Sequence, residues 1–110
     1  MMQRIETENQ IASEVLNEDE RVEYLAELFR SLADPTRLKI LSLLMEGERN
    51  VVSLAEAVGI SEPGVSHHLR GLRQMRIVRG RRQGRQVFYT LDDEHVADLL
   101  RMGWEHVRHA

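Results

Sequence analysis

The sequence predicts a mainly α protein with a small β-hairpin: a dimeric winged helix-turn-helix with elements in the order α-α-α-α-β-β-α. Three observations predict it. Apolar residues recur at helical spacing along most of the chain. Two short helical stretches meet at Gly59-Ile60-Ser61, the joint of a helix-turn-helix. From Arg76 the apolar period falls to two, and a basic hairpin follows at once.

Residues 1–17 are polar with scattered Ile5, Ile11, Val15 and Leu16, and read as a frayed tail that turns helical toward its end. Residues 18–110 read as one domain whose first and last helices form a dimer interface. Within it, Val22, Leu25, Leu28, Phe29 and Leu32 make a helical stripe over 18–33. Asp34-Pro35 then supplies an N-cap and a proline at the first helical position. The helix they open, over 35–46, is nearly all apolar and is the expected buried centre; Gly47 stops it. Ser53 is the expected cap of a short helix, 54–58, closed by Gly59. Ser61 caps the next, with Pro63 in its first turn, running to Gln74. Ile77-Val78 begins one strand, Gln86 to Leu91 forms the other, and Arg81 to Arg85, with Gly84, makes the hairpin tip. Asp92 or Asp93 caps the last helix, whose apolar stripe is Val96, Leu99, Leu100, Gly103, Trp104 and Val107.

The chain has no cysteine, which excludes disulfides and thiolate metal sites. The longest uncharged apolar run, Ile40 to Met45 with Ser42 inside it, is far too short to cross a bilayer, and no signal-peptide pattern opens the sequence. A cytoplasmic protein without a membrane partner is expected. The net charge of −3 hides an asymmetry. Residues 1–34 carry nine acids against three arginines, whereas residues 61–90 carry seven arginines and one acid, Glu62. A local field steers a polyanion more than the chain average does. Fourteen of the fifteen basic residues are arginine, the side chain that forks onto phosphate and guanine.

On the helix 62–74, Val65, Leu69 and Leu72 share the inward face. Pro63, His67, Arg70 and Gln74 point the other way, with Ser66 and Gly71 on the flank. Ser61, Pro63, Gly64, Ser66, His67 and Arg70 are therefore the expected groove-facing set for double-stranded DNA. Arg81, Arg82 and Arg85 of the hairpin are expected on phosphate or in the minor groove. A solvated basic face, or a winged helix that binds protein, is the competing reading. Adjacent His67 and His68 diverge around the helix and make a poor metal clasp, so His68 is expected to face the scaffold.

The last helix carries the sharpest pattern: Asp93-x-His95 near its start and His106-x-x-His109 near its end. Eleven residues at about 1.5 Å each put His95 and His106 roughly 16 Å apart along the axis. A zinc–nitrogen bond is only about 2.0–2.1 Å. The two pairs share an ion only if a second copy of the helix runs antiparallel, which suggests a homodimer with metal bound across its interface.

The chain resembles the ArsR–SmtB family of bacterial metal-sensing repressors from about residue 20 to its end. The resemblance rests on Leu32-Ala33-Asp34-Pro35-Thr36-Arg37-Leu38, Val65-Ser66-His67-His68-Leu69-Arg70, Gln83-Gly84-Arg85-Gln86-Val87-Phe88-Tyr89 and Leu91-Asp92-Asp93-Glu94-His95-Val96, in that order. It implies a homodimer on operator DNA, released by an inducer. Where one subgroup places a Cys-Val-Cys motif, this chain has Arg49-Asn50-Val51-Val52-Ser53, which removes that thiolate site. The subgroup with its ligands on the last helix matches at Asp93, His95, His106 and His109. The resemblance therefore implies Zn(II), with Co(II) as the alternative, at two sites per dimer. One aspartate oxygen and three imidazole nitrogens suit either ion in tetrahedral geometry. It also implies a bond from His106 to the carbonyl of Arg76, just after the recognition helix. The runner-up is a relative that responds to nickel or a non-metal signal; residues 1–20 hold no histidine to complete a six-coordinate nickel site. A metal hydrolase needs an open coordination position and a general base. Neither is in evidence, so no catalytic residue and no small organic substrate are expected.

Overall fold

The computed structural model describes residues 2–110, with side chains from residue 8 onward. The elements are α1 (Met2–Asn17), α2 (Asp19–Leu32), α3 (Pro35–Glu46), β1 (Arg49–Asn50), α4 (Val51–Val58), α5 (Glu62–Gln74), β2 (Val78–Gln83), β3 (Gln86–Leu91) and α6 (Glu94–Arg108). They form two compact units, Met1–Arg30 and Ser31–Ala110.

The first unit is α1 and most of α2. The opening segment, read above as a tail that frays, is helical from Met2 to Asn17. Backbone bonds from Glu18 N–H to the Glu14 carbonyl (2.9 Å) and from Val22 N–H to the Glu18 carbonyl (3.0 Å) carry the helical pattern through the junction. The apolar stripe thus continues from Ile11 and Val15 to Val22, Leu25 and Leu28, which line a groove of about 250 Å³. None of the unit's described side chains is buried.

The second unit holds the core. Asp34 caps α3 by accepting the Arg37 N–H at 2.9 Å, ahead of Pro35, as its sequence predicts. Ile40 and Leu41 of α3, Leu54 of α4, Val65, Leu69 and Leu72 of α5, and Ile77 and Val78 are fully buried together. Each such aliphatic side chain contributes about 1.5–3 kcal/mol. The inward face predicted for α5 is the one observed.

Two details depart from the sequence reading. The helix α4 starts at Val51, because Asn50 and not Ser53 is its cap: Asn50 Oδ1 accepts the Ser53 N–H at 2.9 Å. The Ser53 hydroxyl instead accepts from Arg49 Nη1 at 3.0 Å. Just before that cap, Arg49 and Asn50 pair with Tyr89 and Phe88 as a short strand, so the hairpin is part of a three-stranded antiparallel sheet of order β1-β3-β2.

Arg37 braces α5. Its Nε donates to His68 Nδ1 and its Nη1 to the Ser31 carbonyl, both at 3.2 Å. Gly71, predicted on an exposed flank, lies under this guanidinium; a Cβ there would meet Nη2 at 2.6 Å.

The helix α5 ends in a Schellman turn. Ile77 N–H bonds the Leu72 carbonyl at 2.9 Å and Arg76 N–H the Arg73 carbonyl at 3.0 Å. Arg76 itself takes φ 56°, the left-handed conformation usual for glycine at this place.

Candidate functional site

Two surfaces are built on this frame, one from α5 with the hairpin and one from α6. On α5, the cap Ser61 accepts the Gly64 N–H at 3.1 Å, leaving its hydroxyl hydrogen to donate outward. Pro63, His67 and Arg70 are exposed, and Gly64 and Ser66 are half-buried. His67 and His68 meet edge to face at 5.9 Å between ring centres. The bond from Arg37 holds His68 to the scaffold, as expected, and leaves His67 on the open side.

The hairpin separates its arginines. Strand β2 pairs Arg81 with Phe88 and Arg82 with Val87, so the two side chains stand on opposite faces. The expected tip 81–85 is therefore shorter: Gln83 pairs with Gln86, and only Gly84 and Arg85 turn, with Gly84 at φ 64°. Arg81 is committed. Its Nε and Nη2 donate to the two carboxylate oxygens of Glu48 at 3.0 and 2.6 Å, and its Nη1 donates to Gln83 Oε1 at 3.0 Å. Its guanidinium carbon also lies 5.4 Å from the Phe88 ring centre. Through these hydrogen bonds Arg81 holds the Glu48 carboxyl below the usual carboxylate range, and the carboxylate raises Arg81 in return. The guanidinium groups of Arg70, Arg82 and Arg85 make no hydrogen bond or ion pair among the described residues. Sequence reading grouped Arg81 with Arg82 and Arg85 and missed Glu48, which lies 33 residues away with no local signal.

Helix α6 carries the four donors in two pairs. Asp93 is its N-cap: Oδ1 accepts the N–H groups of His95 (2.9 Å) and Val96 (3.3 Å). His95 Nδ1 stands 3.6 Å from the same oxygen, and its side chain is 90% exposed. At the other end His106 is exposed, and His109 Nε2 lies 3.2 Å from Glu105 Oε2. Glu105 also accepts from Arg108. Its place four residues before His109 was the signal that could have singled it out. Among the described residues no three such groups converge within the chain. The donor chemistry suits a divalent cation nonetheless, since each pair offers half of a four-coordinate nitrogen and oxygen set to solvent. Along α6, Val96 and Ala97 are buried, whereas Met102 (72%), Trp104 (64%) and Val107 (62%) stand exposed.

Known proteins are similar to much of this chain. Residues 34–79, from the α3 cap into β2, match the family described as bacterial regulatory protein, arsR family. A transcriptional repressor SmtB homolog of Synechocystis is 43% identical over 104 residues, which cover 94% of this chain and 78% of that one. A cadmium resistance transcriptional regulatory protein, the CadC homolog of Staphylococcus aureus, is 41% identical over 85 residues, covering 76% and 70%. Among solved structures, the homodimeric winged helix-turn-helix DNA-binding domain of Mb0332 from Mycobacterium bovis superposes with a TM-score of 0.78 at 30% identity, covering 84% of this chain and 85% of that one. With its caps, its helix-turn-helix and its wing all in place, the chain belongs to the arsR family of bacterial regulatory proteins.

Proposed function

We propose that this chain is a homodimeric repressor that grips operator DNA in its metal-free state and lets go when Zn(II), or Co(II), is bound across the dimer. The observation that carries the reading is the pairing of Asp93 with His95 and of His106 with His109 at opposite ends of one solvent-facing helix. The names of the Synechocystis and Staphylococcus relatives support a metal-responsive repressor. The Mb0332 domain supports a DNA-binding homodimer.

The chain's own groups divide the work. Helix α5 enters the major groove with Ser66, His67 and Arg70 toward base edges, while Ser61, Pro63 and Gly64 approach the backbone. Arg82 and Arg85 of the wing meet phosphate. Antiparallel α6 helices from two copies bury Leu99 and Met102, which share a helix face with His95 and His106, against each other. Asp93 and His95 of one copy then face His106 and His109 of the second, so two Zn(II) sites arise per dimer. Asp93 keeps Oδ1 on the α6 cap and presents Oδ2. Asp93, His95, His106 and His109 would hold a cation that cross-links the two copies and so fixes the angle between them. His106 passes its other N–H to the Arg76 carbonyl, which accepts no backbone bond among the described residues. That bond runs from the metal site to the end of α5. A useful switch needs about 1–3 kcal/mol of coupling or more.

A duplex selected by the chain from a random-sequence DNA pool, followed by anisotropy while Zn(II), Co(II), Ni(II) and Cu(II) are added, tests this. Zinc or cobalt should release the duplex from the parent but not from His95→Ala. His106→Glu should keep metal but lose release. A parent that stays on the duplex at saturating zinc would sink the reading. Release by nickel alone would favour the nickel-responsive alternative.

A further inference from the structure

Glu48 and Arg81 belong to different segments, the turn before β1 and the middle of β2, yet they meet in a two-pronged pair. Three of the five guanidinium N–H donors are spent, on Glu48 and Gln83, and the guanidinium is packed toward Phe88. The pair is electrically neutral. A phosphate that drew Arg81 away would leave the Glu48 carboxylate uncompensated beside a polyanion. Arg82, on the opposite face, and Arg85, at the turn, carry no such partner among the described residues.

We propose that Glu48 withholds Arg81 from DNA, so that the wing engages the duplex backbone through unpaired arginines such as Arg82 and Arg85 and without Arg81, and Glu48 limits the strength of that grip. The inference rests on the DNA-binding reading above. It makes Arg81 a positioning residue that ties the wing to the root of α4, and Glu48 the residue that sets the wing's effective charge.

Counterion release separates the possibilities, because each phosphate contact adds about 0.9 to the slope of log affinity against log salt. The duplex selected from the random pool is titrated over a range of salt with the parent, Glu48→Gln, the double variant Glu48→Gln/Arg81→Gln, and Arg82→Gln. Glu48→Gln frees a cation, so its slope should steepen by about 0.9, and the double variant should return to the parent's value. Arg82→Gln should flatten the slope by about 0.9. If Glu48→Gln leaves the slope unchanged and the double variant falls below the parent, Arg81 already touches phosphate and the inference is overturned. If neither variant moves the slope, the pair stands clear of DNA and the inference is equally overturned, while the repressor reading survives. A parent that selects no duplex removes both.

Discussion

Arg76 carries a backbone conformation that L-residues avoid, at the hinge between the recognition helix and the wing. Helices usually place glycine there, because left-handed backbone costs other residues about 1–2 kcal/mol. Arg76→Gly should therefore raise the unfolding free energy by about 1 kcal/mol, read from denaturant melts; an unchanged or lower midpoint would contradict the assigned turn. Asp93 caps α6, and in the reading proposed above it also binds the cation; Ser separates the two roles. Asp93→Ser should keep the α6 cap, hence the thermal midpoint, yet weaken zinc binding in a chelator competition. Glu48 gives a pH signature. Its carboxyl titrates below the usual range because the folded state favours the charged form. The stabilisation is thus complete above the unfolded value and is lost as pH falls through the lowered folded one. An NMR titration of its carboxyl carbon should show the depressed midpoint, and Arg81→Gln should abolish the depression.

Among the elements, those announced by local chemistry were legible in the sequence. Asp34, Ser61 and Gly59 lie within four residues of the groups they satisfy, and each caps or closes the helix expected of it. The strand β1 was not legible, because two residues carry no period and their partners, Tyr89 and Phe88, are distant in the chain. Asn50 and Ser53 are both competent caps, and only the pairing of Asn50 with β3 decides between them. The candidate site divides in the same way. The donor spacing on α6 and the outward face of α5 are intra-helix arithmetic, whereas the capture of Arg81 by Glu48 needs the tertiary fold. Gly71 shows how an element-level rule can be cancelled. In a helix interior Gly→Ala ordinarily gains about 1 kcal/mol. At residue 71 the new methyl displaces Arg37 and its bond to His68, a loss of about 1 kcal/mol. Gly71→Ala should therefore leave stability nearly unchanged in urea melts; a full gain would mean that the Arg37 brace is energetically idle.

At the scale of the molecule, α6 leaves apolar residues exposed, and the antiparallel pairing with a second copy proposed above would cover part of them while bringing unlike donor pairs together. Met102→Glu should shift sedimentation toward the monomer and weaken zinc binding with it, since half a site holds a cation poorly. A dimer that survives with unchanged zinc affinity would place the seam elsewhere. Protons and cations compete for the same imidazole nitrogens, so zinc affinity should fall on acidification.

Asn50 joins the wing to the first turn of α4. It is paired to Phe88 on the wing's central strand, its Oδ1 anchors the first turn of α4, and its Nδ2 reaches Gln86 at 3.4 Å. A tug on the basic arm is thereby delivered to the helix that backs the reading head, with no slack linker between them. On the DNA-binding reading proposed above, arm and head should therefore tilt together on the double helix.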